Sequence, residues 1–162
     1  MAGYRFYDGE GGLASSVSVN NPYGVAFHPI TKDLFIVDTP NQVIRKIDKL
    51  TGVITTVAGT PGKWGYSGDG GLATRAELNF PRGIAFSADG TVMYIVDTSN
   101  HCVRKVQDGM ITTVAGNGAP GIEGDGVLAN STSLYLPYGI SVLPTTGELI
   151  IADSSHRIRI VG

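Results

Sequence analysis

Apolar residues along the chain come in short runs, each closed by a cluster of Gly, Pro, Asn, Asp or Ser. Val25-Ala26-Phe27, Phe35-Ile36-Val37 and Tyr94-Ile95-Val96 are typical, rich in the β-branched and aromatic residues that suit a pleated surface. The helical period appears only over a single turn, at Ala73-Thr74-Arg75-Ala76-Glu77-Leu78. The pattern predicts strands near 24–28, 34–38, 43–47, 53–58, 83–87, 92–97, 102–106, 110–115, 139–143, 149–153 and 157–161. The fold class is therefore all-β.

These strands recur as a unit. Asn21-Pro22-Tyr23-Gly24-Val25-Ala26-Phe27 returns as Phe80-Pro81-Arg82-Gly83-Ile84-Ala85-Phe86 and again as Leu136-Pro137-Tyr138-Gly139-Ile140-Ser141-Val142. Each copy continues into an apolar run ending in Asp38, Asp97 or Asp153, a polar turn, and a run centred on Arg45, Arg104 or Arg159. Four short strands with tight turns make an antiparallel meander, and meanders repeated radially are the blades of a propeller. A sandwich would not repeat in sequence, and solenoid repeats are mostly shorter.

The expected division is a link at 1–21, a first blade at 22–58, a link at 59–80, a second blade at 81–115, a link at 116–136, and an incomplete third blade at 137–162. Together they form one propeller segment over 1–162. The links carry Tyr7-Asp8-Gly9-Glu10-Gly11-Gly12, Tyr66-Ser67-Gly68-Asp69-Gly70-Gly71 and Gly124-Asp125-Gly126.

Composition agrees, with 23 glycines and 8 prolines supplying turns. A net charge of −2 argues against a general binder of phosphate backbones. The single cysteine, Cys102, has no internal partner. No long apolar run or leader-like segment is visible, so no membrane span and no cellular address is legible.

Three segments carry a resemblance. Pro-x-Gly-[Val/Ile]-Ala-Phe, the [Ile/Val]-Val-Asp-Thr segment and Asn100-His101-Cys102-Val103-Arg104-Lys105-Val106 resemble the NHL repeat over essentially the whole chain. The third copy departs from it at Ser155-His156-Arg157 and in its absent fourth strand. The resemblance implies a propeller, usually of six blades, with a binding surface, and no particular activity.

Three blades cannot close a ring. The expectation is either a homodimer that completes six blades about an axis through the channel, or a segment of a longer array. Met1-Ala2-Gly3 suits a hand-over from a fourth strand to a link, and Tyr4-Arg5-Phe6-Tyr7 is a weaker candidate to replace the missing strand.

Residues that recur in every copy read first as structure: Asp38, Asp97 and Asp153 as acceptors of turn amides, with Arg45, Arg104 and Arg159 beside them. Glu10, Asp69 and Asp125 are weak calcium candidates, one carboxylate per loop being a thin oxygen supply. His28 lies at the opposite end of the blade from His101 and His156, so the three should not converge on zinc. No cofactor is expected. Positions that vary point to binding. Tyr23, Arg82 and Tyr138 start the innermost strands and should ring one mouth of the channel, with Trp64 and Tyr66 adding aromatic surface there. Tyr and Arg dominate binding hot spots. The leading reading is a non-catalytic scaffold for a protein or peptide ligand. A metal-dependent propeller hydrolase or lyase with its site at the channel mouth is the alternative, and single-stranded RNA binding ranks third because Arg82 stands alone there.

Overall fold

A computed structural model describes residues 7–123 and 126–162. Among them the chain is all-β, three antiparallel sheets joined by links with single 3-10 turns, and each sheet is a blade of a β-propeller. The first blade holds β1 (Val25–Phe27), β2 (Leu34–Asp38), β3 (Val43–Ile47) and β4 (Ile54–Ala58), ordered β1-β2-β3-β4. The second holds β5 (Gly71–Leu72), β6 (Gly83–Phe86), β7 (Val92–Asp97), β8 (Cys102–Gln107) and β9 (Met110–Ala115), ordered β5-β9-β8-β7-β6. The third holds β10 (Gly139–Val142), β11 (Leu149–Asp153) and β12 (Arg157–Val161).

Every expected strand is present, displaced by at most a residue at an end. The two-residue β5 was not anticipated. It is a piece of the glycine-rich link that turns back and pairs with β9, Gly71 opposite Ile111. The first link does the same to β4, where Leu13 bridges Val53 and Gly11 N donates to Ile54 O at 2.9 Å. These two links thus lie along the outermost strand of the blade they precede. The expected helical turn at Ala73 shrinks to a 3-10 turn over Ala73–Arg75.

The cores lie between blades. One joins Val37, Ile44 and Ala58 of the first blade to Ile84, Ile95 and Ile111 of the second, with Ala73, Ala76 and Leu78 of the link wedged among them. The other joins Val103 and Ala115 to Leu149 and Ile151 through Leu134. Burial of these side chains, worth roughly 1.5–3 kcal/mol for each large one, is available only when blades stack.

Close stacking explains the recurrent glycine after Pro-x. A Cβ on Gly24 would stand 2.4 Å from Arg82 O, and one on Gly83 would stand 2.7 Å from Val96 Cγ2 and 2.9 Å from Tyr138 O. At Gly139 a Cβ would meet only Ala152 Cβ at 3.3 Å. Gly24→Ala and Gly83→Ala should each destabilise by roughly 1–3 kcal/mol, the cost of overpacking. Gly139→Ala should cost less than about 1 kcal/mol. Urea midpoints for the three variants check the ordering; equal losses would mean that the inner strands are not packed backbone to backbone.

Candidate interaction face at the channel mouth

The mouth is built from a strained corner. Asn21, Phe80 and Leu136, each just before the repeat's proline, adopt φ of 41°, 47° and 43°. That region is uncommon for Asn and costly for Phe and Leu, and persists only when neighbours hold it. Two sets of bonds do so. The Asp that ends each second strand accepts the amide one residue earlier in the corner: Asp38 from Asn20 at 2.8 Å, Asp97 from Asn79 at 2.7 Å and Asp153 from Tyr135 at 2.6 Å. A side chain from the preceding blade takes the next amide. Gln42 Oε1 accepts from Phe80 N at 2.6 Å, and His101 Nδ1 from Leu136 N at 3.1 Å.

Gln42, His101 and His156 occupy equivalent places, each left-handed with φ of 63°, 54° and 65°. His101 therefore latches blade to blade, stacked on Tyr135. His28 is elsewhere, its ring packed on Phe35 and Phe86 and its Nε2 3.0 Å from Gly90 O. His156 is exposed. Among the described residues no three of His, Cys, Asp and Glu gather as a metal cluster.

Beside the corner, Arg45 and Arg104 are fully buried. Arg104 binds Asp69 through Nε and NH2 at 3.1 and 2.6 Å, Asp97 through NH1 at 3.2 Å and Ser67 O at 2.9 Å. Its guanidinium lies 5.2 Å from the Tyr66 ring centroid, a cation–π contact. Arg45 repeats the arrangement more loosely, with Asp38 at 3.9 Å, Glu10 at 3.5 Å and the Tyr7 ring at 4.6 Å. Arg159 reaches Thr132 Oγ1 at 2.9 Å.

One guanidinium thus faces two carboxylates. Burial pushes the Asp97 carboxyl up to about 6, against the pull of Asn100, the Asn79 amide and Arg104. Burial also opposes the charge on Arg104, but Asp97 and Asp69 outweigh it and hold that group above its ordinary value. Burial raises Asp38 likewise. The link carboxylates complete the outer strand, Asp69 accepting from Thr113 N at 3.0 Å and Glu10 from Thr56 N at 2.8 Å. Their oxygens face Arg, Thr and Tyr partners; Asp125 lies outside the described residues.

Of the residues expected at the mouth, the structure brings Arg82 and Tyr23 together, guanidinium 4.9 Å from the ring centroid. Tyr138 follows on the next inner strand, and its carbonyl lies against Gly83. Tyr23 and Tyr138 are about half exposed or more. Tyr66 is not at the mouth: its hydroxyl lies 3.0 Å from Thr113 Oγ1 on the outermost strand, because the link runs outward before it returns. Trp64, exposed, bridges Leu78 within that link and is not part of the Tyr23–Arg82 stack. The latch was missed in the sequence, where only the recurring position after Asn41, Asn100 and Ser155 marks it.

Asp97→Ala should destabilise by roughly 1–3 kcal/mol, since Asn79 N and Arg104 lose a buried acceptor; denaturant unfolding measures it, and an unchanged midpoint would contradict the arrangement. Burial also lowers the pKa of His101, and protonation would remove the acceptor that Leu136 N uses. The unfolded chain then takes the proton first, so this ring's contribution is present above its ordinary value near 6.5 and is lost as pH falls below it. His101→Gln, the residue the first blade uses, should keep the fold at pH 7 and flatten stability between roughly pH 6.5 and 5. Thermal melts across that range check it.

Residues 59–120 match the family model of the teneurin NHL domain. The chain is 31% identical over 151 residues to the chloroplastic protein SUPPRESSOR OF QUENCHING 1 of Arabidopsis thaliana, covering 91% of this chain and 14% of that protein. It is 29% identical over 171 residues to teneurin-1 of Gallus gallus, covering 90% of this chain and 6% of that protein. Among solved structures it is similar to an auxiliary nutrient binding protein of Bacteroides thetaiotaomicron, with TM-score 0.71 and 28% identity over 85% of this chain and 36% of that one. The chain spans only a small part of these curated relatives.

Proposed function

We infer that this chain, which belongs to the NHL-repeat β-propeller family, is a non-catalytic scaffold that binds a protein or peptide at the channel mouth. The observation that carries the reading is the strained corner that precedes Tyr23, Arg82 and Tyr138, pinned by an Asp in all three blades and by a second bond from the preceding blade at Phe80 and Leu136. Strain retained at the same place in three repeats is backbone held for presentation. What it presents is an amphipathic row, Tyr–Arg–Tyr, of the residue types that carry binding energy. The carboxylates and imidazoles that a hydrolase or lyase would need are engaged elsewhere. Asp97 serves the corner and Arg104, His28 packs between two phenylalanines, and His101 is a latch. A single arginine in the row gives a polyanion such as RNA little to hold.

We further propose that the ring is completed by a second copy. The outer flank of the first blade exposes Val25 and Phe27, and that of the third exposes Ile158 and Ile160. The residue equivalent to Ile158 is fully buried in both other blades, as Ile44 and Val103. These flanks have the chemistry of the inter-blade cores and call for blades on either side.

A displayed library of random peptides, panned on the chain, tests the reading. The enriched pool should bind at least tenfold more weakly to the folded triple variant Tyr23→Ala, Arg82→Ala, Tyr138→Ala. A pool that binds the triple variant equally, or no enrichment at all, would remove the mouth as the site. In the same preparation, light scattering should report a dimer of about 34 kDa, twice the 17.0 kDa chain. A 17 kDa monomer would leave the mouth reading intact and assign the missing blades to a longer protein.

A further inference from the structure

Among the described residues, Arg45, Arg82, Arg104 and Arg159 are the arginines at least partly withdrawn from solvent. Arg45 faces Asp38 and Glu10, Arg104 faces Asp97 and Asp69, and Arg159 holds Thr132 Oγ1. Arg82 differs. Its Nε is buried without a hydrogen-bond partner, and no described carboxylate forms an ion pair with it. What the side chain touches is the Tyr23 ring, 4.9 Å from guanidinium carbon to centroid. A guanidinium drawn partly out of water with no acceptor carries a cost that the chain itself does not offset.

Arg82 belongs to the middle blade, which has a packed neighbour on each side. Its own carbonyl abuts Gly24 of the first blade, and Gly83 is pressed by Tyr138 O of the third. The same corner holds a second unmade bond. Thr98, on the turn that Ser99 N ties to Asn79 O at 3.0 Å, is 2% exposed, and its hydroxyl has no partner among the described residues. The counterparts Thr39 and Ser154 both donate at 2.7 Å, to Pro81 O and Leu136 O. Buried polar groups are almost always satisfied, so two exceptions on one corner call for an acceptor from outside the chain.

We propose, on the footing that the mouth is the peptide site, that Arg82 is its anchor and that the ligand is an acidic peptide held by a carboxylate. A planar guanidinium matches a carboxylate with two parallel N–H···O bonds, which a lysine could not reproduce. The stack on Tyr23 restrains the guanidinium before the ligand arrives, so less freedom is lost on binding. The charge balance selects the class of anion. One cation stands at the mouth, while Asp38, Asp97 and Asp153 are committed to the corners behind it. That arrangement suits a single negative charge and disfavours a phosphate dianion. An Asp or Glu side chain supplies such a charge, and so does the carboxylate that ends a chain.

The test pans two random peptide libraries on the full chain, one with blocked and one with free C-termini. The selected peptides should be richer in Asp and Glu than the unselected pool. Synthetic versions with Asn for Asp and Gln for Glu should bind the chain roughly tenfold or more weakly, the worth of a hydrogen bond to a charged group. Folded Arg82→Gln should bind acid and amide versions alike, and Arg82→Lys should recover only part of the difference. Selection from the free-ended library alone, abolished by amidating the terminus, supports the same anchor and assigns the carboxylate to a chain end. Peptides lost on the triple variant Tyr23→Ala, Arg82→Ala, Tyr138→Ala but indifferent to these exchanges overturn the anchor and leave the mouth standing. Peptides that bind the triple variant equally, or no selection from either library, remove the mouth and the anchor together. Displacement of the peptide by inorganic phosphate at concentrations where acetate has no effect overturns the choice of anion.

Discussion

The buried guanidinium of Arg104, and its looser counterpart Arg45, is the constraint on which the second and first blades depend. A charge removed from water is costly unless it is paired and hydrogen-bonded. Arg104 meets that demand from three directions: Asp97 at the end of β7, Asp69 and Ser67 in the link, and the Tyr66 ring above. These groups come from segments that would otherwise be independent. Turn, link and outermost strand are held to one another because each supplies part of one ion's surroundings. Replacement of such a centre by apolar residues can be neutral in energy, so its value here is geometric. It sets which way the link runs.

The direction of the link carries the consequence outward and inward. Outward, Asp69 and Glu10 take amides of the outermost strand, so the link becomes the last rung of the sheet. Inward, the same chain returns to the proline corner, where Asp97 and Gln42 take consecutive amides of Asn79 and Phe80. Asp97 thus serves two masters, and it does so out of water. Burial pushes its carboxyl up to about 6 although an arginine stands beside it.

The blade was legible in the sequence because its strands reuse one set of positions three times, and a short apolar run bounded by Gly, Asn and Asp has few alternatives. The place of Tyr23, Arg82 and Tyr138 in the repeat was legible for the same reason, since each follows a fixed Pro and precedes a fixed Gly. The link was not. Tyr66 and Asp69 precede Arg104 by more than thirty residues, and nothing local says that a glycine loop turns outward to dock on a strand not yet made. The signal was present as a shared spacing, Tyr7 to Glu10 and Tyr66 to Asp69, which the third link breaks with Ile122. The latch was hidden differently: its side chain changes from Gln42 to His101 to His156 while only its left-handed backbone is kept. A conformational requirement leaves no mark when several residue types meet it.

The latches and the glycines give the array its polarity. Gly24 is pressed by Arg82 O, Gly83 by Tyr138 O, and Gln42 and His101 each reach to the following corner. The first and second blades therefore complete the corners of the second and third. Such coupling makes the array quasi-one-dimensional, with stability residing at the contacts between repeats. It also separates two kinds of residue. Those that recur, Asp97 and Arg104 among them, are bound on all sides by the repeat and are not free to change. The residue between the corner and the close-packed glycine, Tyr23, Arg82 or Tyr138, is not fixed in type by the repeat. Variation is permitted there because the corner holds the backbone whichever side chain follows, and that is the condition a binding face requires.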